Sequence, residues 1–196
     1  KELDSIDNHD FDTLWKNLWI HTETINPRIK REYKKSKSDF NKLKKGYKKE
    51  DQLINIKYLI DLVKDPYIFN EWEIPKGRRK MYENNRACAI REFYEETNVN
   101  YSLYRLYKNI IPIVEEYMGI NKVKYKHVYY IGNIVNRCKL IIDKGNKDQY
   151  TEIKDINWCS EEECLKKIRD YDNHKRGIII NFFEYLRGHK NVVTLE

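Results

Sequence analysis

Three glutamates at helical spacing, Glu92, Glu95 and Glu96, constrain this chain more than any other feature. At i, i+3 and i+4 their carboxylates share one face. Like charges that close repel, so the pattern does not serve helix stability. A divalent cation removes the penalty, because Mg²⁺ takes hard carboxylate oxygens and keeps water and phosphate oxygens as its other ligands. The flanking residues fit a positioning role. Trp72 and Ile74 alternate with Glu71 and Glu73, which predicts a short half-buried strand ended by Pro75. Gly77 predicts a backbone turn that other residues resist. Asn84 or Asn85 is expected to cap a helix over 86–97, with Ala87, Ile90 and Tyr94 pinning its opposite face to a core. The expected unit is a strand–loop–helix metal site for phosphate substrates.

A chain of 196 residues can bury one good core, or one core and a small appendage. Charged residues make up 35% and the net charge is +7, a balance that favours polyanionic partners. Cys88, Cys138, Cys159 and Cys164 show no CxxC or paired-His spacing, so neither zinc nor a disulfide framework is expected. There is no run of 18 apolar residues and no signal-peptide pattern, so no membrane partner is expected.

Residues 1–70 read as helical. Leu14, Trp15, Leu18 and Trp19 recur at helical spacing, with Asp10 or Asp12 able to cap the start. Asn26-Pro27 punctuates, and Pro27 suits the first turn of a second helix. Between Arg28 and Lys49 stand eleven Lys or Arg against Glu32 and Asp39, a local charge of +9 that leaves the remainder slightly acidic. Interleaved Tyr33, Phe40, Leu43 and Tyr47 predict a folded helix there. Leu53, Ile56, Leu59, Ile60 and Val63 predict a third helix, closed by Asp65-Pro66.

Strands are expected at 109–118 and 122–135, joined by a hairpin at Gly119-Ile120-Asn121. Val123, Tyr125, His127, Tyr129 and Ile131 fall on one face of the second, with Lys122, Lys124 and Lys126 on the other, and His127 reads as a satisfied sheet residue. Residues 144–149 read as a loop, Trp158 as core, and 161–169 and 173–187 as helices. The last turns Ile178, Phe182, Phe183 and Leu186 inward and has Lys175 and Arg176 near an exposed start.

The stretch at 72–99 resembles the Nudix box, whose pattern is Gly, five residues, Glu, seven residues, then Arg-Glu-apolar-x-Glu-Glu-x-Gly-apolar. Gly77, Glu83, Arg91, Glu92, Phe93, Glu95, Glu96 and Val99 match in register, and Asn98 stands in place of the glycine. Asn tolerates a left-handed helix end better than most residues. Glu152, Ile153 and Trp158 resemble the segment that follows the catalytic core in many Nudix enzymes. Trp72 to Gly77, Phe11 to Trp19, Tyr125-Lys126-His127 and 181–187 are similar to mRNA-decapping Nudix enzymes of large cytoplasmic DNA viruses, of the asfarvirus and poxvirus type.

That resemblance implies an α+β fold: a Nudix α/β/α sandwich over 67–196, preceded at 1–66 by a basic helical RNA-binding module. Its first strands are expected upstream of Lys1. It implies Mg²⁺ or Mn²⁺ on Glu92, Glu95 and Glu96, with Glu152, or Glu92 in its place, as general base. Gly77, Glu83 and Arg91 would hold the box together. Lys76 and Arg78, with Lys80 nearby, would neutralise phosphate. Lys34, Lys35, Lys44 and Lys45 would bind single-stranded RNA largely without sequence preference. The implied reaction splits the cap triphosphate bridge of mRNA, releasing 7-methylguanosine diphosphate and 5′-monophosphate RNA in the cytoplasm of a host cell. The alternatives are a diphosphoinositol polyphosphate or dinucleotide pyrophosphohydrolase, and a nucleic-acid-binding protein on a silent Nudix fold. The size of the basic stretch favours RNA, since a small polyphosphate needs only a pocket.

Overall fold

The structure is a computed structural model that describes residues 2–18, 27–64, 67, 69–119, 121–136 and 138–188. It divides into two compact units, Lys1–Asn70 and Glu71–Glu196.

The first unit comprises α1 (Glu2–Asn8), α2 (Phe11–Leu18), α3 (Pro27–Lys45), β1 (Tyr47–Lys49), β2 (Gln52–Ile54) and α4 (Ile56–Asp61). Asp10 caps α2, its Oδ1 accepting the Thr13 amide at 2.7 Å. Asp12 turns to α3 instead, where it accepts from Tyr33 and pairs with Lys37 at 2.7 Å. Phe11, Trp15, Tyr33 and Phe40 form the contact between α2 and α3, with Phe11–Tyr33 and Trp15–Tyr33 centroids 5.5 and 5.3 Å apart.

Two expectations fail here. The basic helix stops at Lys45 and does not reach Lys49, because Gly46 takes φ +81° and returns its amide to Lys42 and Leu43. The chain then makes a hairpin, Tyr47 opposite Ile54, so Leu53 lies in a strand and the third helix begins at Ile56, capped by Asn55. Trp19, Asn26 and the expected stop at Asp65-Pro66 fall outside the described residues.

The second unit comprises α5 (Asn85–Thr97), β3 (Tyr104–Leu106), β4 (Ile113–Met118), β5 (Lys124–Tyr129), β6 (Gly132–Ile134), α6 (Lys147–Glu152), α7 (Glu161–Lys167) and α8 (Asn173–Gly188). β4 and β5 pair antiparallel with Glu115 opposite His127, and β3 pairs with β6. The expected long strands are shorter: Pro112 stops the first from beginning earlier, and the second divides so that its end joins a different partner. The core gathers Val99, Tyr104 and Leu106 with Ile90, Phe93, Tyr101, Leu103, Tyr130, Ile134, Cys138 and Leu140.

Residues 72–74 form no strand, although a half-buried one is expected. Their side chains make the local contacts instead. The Lys167 ammonium lies 3.6 Å from the Trp72 ring centroid, and Glu73 pairs with both Lys76 and Lys175. Lys175 is accordingly half-buried and not free at the start of α8, and Arg176 donates to the Leu165 carbonyl at 2.7 Å. Within α8, Ile178 and Ile179 are buried, with Phe182 and Phe183 half-buried beside them. Trp158 is not core. It is 55% exposed, in an irregular segment where Asp155 accepts the Ile156 amide at 2.8 Å.

Candidate active site

α5 carries the glutamates, and its two ends are fixed by local chemistry. Asn84 is the N-cap, its side chain accepting from the Ala87 amide at 2.8 Å. At the other end Asn98 adopts φ 58°, the left-handed conformation that closes a helix, and returns its amide to the Tyr94 carbonyl at 2.8 Å. The pinning face is rotated from the expected one. Ala87 and Tyr94 are exposed, and Ile90 and Phe93 make the core contact with buried Cys88 and Thr97.

Arg91 ties the box together. Its Nε and Nη2 donate to the two Glu83 oxygens at 2.8 and 2.9 Å, a bidentate pair. Nη2 also holds the Arg78 carbonyl at 3.0 Å, and Nη1 donates to Glu92 and Glu95, both at 2.7 Å. The guanidinium holds the Glu83 carboxyl down at about 2. Gly77 does not have the positive φ expected of a forced turn. Its need is spatial: a Cβ there would lie 1.9 Å from the Glu92 carboxyl carbon.

Glu92, Glu95 and Glu96 line a cavity of about 220 Å³ together with Asp148 and Glu152. The last two arrive on α6, a helix where a loop is expected, and Asp148 is absent from the sequence-based site. The signal for α6 is slight: Asn146 as cap, accepting from the Gln149 amide at 3.3 Å, with Asp148 in the first turn. Gln149, 0% exposed, fastens α6 to α5. Its Nε2 donates to the Glu96 and Ile141 carbonyls at 3.2 and 3.1 Å, and its Oε1 accepts the Asp143 amide at 2.8 Å. Gln149→Ala leaves all three groups without that partner, at about 1–3 kcal/mol for each buried orphan. Denaturant unfolding is expected to lose roughly 3 kcal/mol, and a loss below about 1 kcal/mol would contradict the fastening role.

Charge is concentrated in the cavity. Burial pushes Glu96 up to about 7, opposed by the Lys76 amide at 3.0 Å and reinforced by Glu92. Burial and then the charges of Glu92, Asp148 and Glu95 raise Glu152 as well. Such crowding of hard oxygen donors suits a divalent cation. Among the described residues no three of these side chains converge closely enough to chelate one ion as they stand, since Arg91 holds Glu92 and Glu95.

The basic residues of the box are partly engaged. The Lys76 ammonium pairs with Glu73 at 3.0 Å and Lys80 with Glu95 at 3.5 Å, while the Arg78 side chain is exposed. In the first unit, Lys34, Lys35, Lys44 and Lys45 are exposed on α3; Lys34, Lys35 and Lys45 point away from half-buried Ile29, Tyr33, Phe40 and Leu43, while the Lys44 ammonium lies 5.7 Å from the Phe40 ring centroid. Lys44 also donates to the His9 carbonyl at 3.3 Å. No described helix is long and apolar enough to cross a membrane.

Comparison with known proteins agrees with this geometry. A protein of Acanthamoeba polyphaga mimivirus whose name proposes an mRNA-decapping role is 36% identical over 158 residues, which are 79% of this chain and 43% of that protein. The mRNA-decapping protein g5R of an African swine fever virus warthog isolate is 32% identical over 163 residues, 78% of this chain and 59% of that protein. The chain thus spans about half the length of these curated relatives. Among solved structures, a Caenorhabditis elegans Ap4A hydrolase shares the fold with a TM-score of 0.50 and 20% identity, covering 62% of this chain and 81% of that one. The NUDIX domain family matches residues 57–182, which span the box, the hairpin and α6, and the chain belongs to that family.

Proposed function

We propose that this protein is a divalent-metal-dependent mRNA-decapping hydrolase. The observation that carries the reading is the meeting of Asp148 and Glu152 with the three box glutamates around one cavity. The relatives named for mRNA decapping support the choice of capped RNA as substrate.

Glu92, Glu95 and Glu96 would hold Mg²⁺ or Mn²⁺, which would supply charge neutralisation for the bridging phosphates and acidify water. Glu152 accepts the proton of the attacking water, with Glu92 as the alternative base. Its partial burial raises its pKa, which makes it a better proton acceptor than a free carboxylate. The Lys76 amide holds Glu96 in place, and Arg78 offers an exposed cation for phosphate. Water adds to one phosphorus of the triphosphate bridge and the P–O bond to the next phosphate breaks. The products are 7-methylguanosine diphosphate and RNA with a 5′-monophosphate. The viral relatives named for mRNA decapping support the host cytoplasm as the place of action.

The exposed basic face of α3 binds the RNA body through phosphates, without reading bases. Binding of that kind releases counterions, so affinity falls steeply with salt, by roughly 0.7 in log–log slope per phosphate contact to a single strand. Replacing Lys34, Lys35, Lys44 and Lys45 with Glu is expected to weaken capped-RNA binding strongly and to flatten the slope. Cleavage of free cap dinucleotide should hardly change. Capped RNAs of several lengths, cap dinucleotide and an inositol pyrophosphate, assayed side by side at two salt concentrations, test both parts. Wild-type rates independent of RNA length and salt would end the RNA-binding reading, and cleavage of inositol pyrophosphate alone would end the decapping one.

A further inference from the structure

The β4–β5 hairpin carries a second cluster that hydrolysis does not use. Glu115, 7% exposed, accepts from the Tyr129 hydroxyl at 3.1 Å and lies 2.8 Å from His127 Nδ1. Next to it, Tyr117 stacks on Tyr125 with centroids 5.4 Å apart and planes 17° from parallel, and meets the His127 edge at 5.5 Å. The exposed ring of His174, in the first turn of α8, lies 29° from parallel to Tyr117 at a centroid distance of 6.3 Å. A stacked base takes up about 3.4 Å, so a base held between two rings needs them about 7 Å apart. The present separation falls short of that, so His174 has to move outward to admit one.

We propose that the cleft between Tyr117 and His174 binds a purine base and favours cationic 7-methylguanine over neutral guanine. Aromatic faces attract a cation through their quadrupole. The surrounding charge has the same preference. Glu73, Glu115 and Asp172 outnumber the two lysines beside them, Lys175, which pairs with Glu73 and Asp172, and Lys76. This is an acidic locality in a chain of net charge +7. It also adjoins the phosphate chemistry. Glu73 pairs with Lys175, the neighbour of His174, and with Lys76, whose amide holds Glu96. A nucleotide with its base at Tyr117 therefore has its phosphates directed toward the carboxylate cavity.

The inference rests on the decapping reading for its choice of base, and the test separates the two. Intrinsic fluorescence of the full chain is titrated with 7-methylguanosine diphosphate and with GDP under metal-free conditions. Wild type is expected to bind the methylated nucleotide about tenfold more tightly. Tyr117→Ala should lose about tenfold in affinity, within the range of one base–aromatic stack, together with the methyl preference. Tyr117→Phe keeps the ring and should bind as wild type does. His174→Ala, at an exposed position that folding tolerates, should shift affinity in the same direction as Tyr117→Ala. Equal wild-type affinities for the two nucleotides, or unchanged binding in both alanine variants, would overturn the proposal. Failure of wild type to cleave capped RNA would defeat the proposed reaction alone, because the titration needs no turnover.

Discussion

Glu96→Gln is expected to lower turnover by about 10²–10³-fold while the fold and RNA binding persist. The amide keeps the shape of the side chain, and its carbonyl oxygen can still accept the Lys76 amide that now bonds Glu96 at 3.0 Å. What disappears is one hard anionic donor from a cavity built of them. Metal-assisted charge stabilisation contributes several kcal/mol to the barrier, so losing a ligand should lower kcat by about 10²–10³-fold. Stability should move in the other direction or not at all. The Glu96 pKa is raised to about 7 in the folded state, so ionisation there opposes folding from its unfolded pKa upward. A neutral amide escapes that opposition. In metal-free buffer above about pH 7 the variant should melt no lower than wild type. Wild-type turnover in Glu96→Gln would remove this residue from the site, and a lower melting temperature would contradict the electrostatic account.

Gly77→Ala should be nearly as damaging, by a different route. The added methyl would lie 1.9 Å from the carboxyl carbon of Glu92 and 2.1 Å from both its oxygens. Those atoms end a flexible side chain, so the cheapest relief moves the carboxylate and leaves the backbone in place. Because Gly77 has an ordinary φ, alanine introduces no backbone strain. A displacement of about 1 Å at a reacting centre can cost about a hundredfold in rate, and kcat/KM should fall by at least that much. Thermal unfolding should stay close to wild type. Intact activity would mean that Glu92 has no fixed place in the reaction. A collapsed fold would mean that the loop, and not the carboxylate, gives way.

The contrast between these two residues shows what the sequence makes legible. The glutamate triad, the Asn84 cap and the left-handed Asn98 depend on neighbours within one helix, so their spacing announces them. Gly77 is legible as necessary, but its reason is the side chain of Glu92, well along the chain, which only packing reveals. Asp148 joins the cavity because Gln149 fastens α6 to α5 across a long stretch of chain, and no local pattern encodes that bond. Glu152 is placed by family resemblance, though on a helix and not beside a strand. Trp72 and Trp158 mislead for a related reason. Large apolar side chains suggest burial, yet Trp72 is covered by a lysine and Trp158 remains exposed in a segment governed by its own polar side chains. The split of residues 122–135 between two sheets is likewise a choice of partner, which alternation along one strand cannot express.

Asn98, the one departure from the family signature, does something that glycine cannot. Its side chain reaches Asp143 Oδ2 at 3.4 Å and accepts from Asn146 at 3.3 Å, joining the end of α5 to the turn that opens α6. Glycine would reach the same backbone conformation with less strain and would give up both contacts. Position 98 therefore belongs to a set with 143 and 146, and the three should change together across relatives. A relative with glycine at this position should be free of this particular polar pair on the facing turn, whereas one with asparagine should keep partners for its amide. The signature glycine and this asparagine are two solutions to different problems: one only ends a helix, and the other also attaches it to the element that brings Asp148 and Glu152.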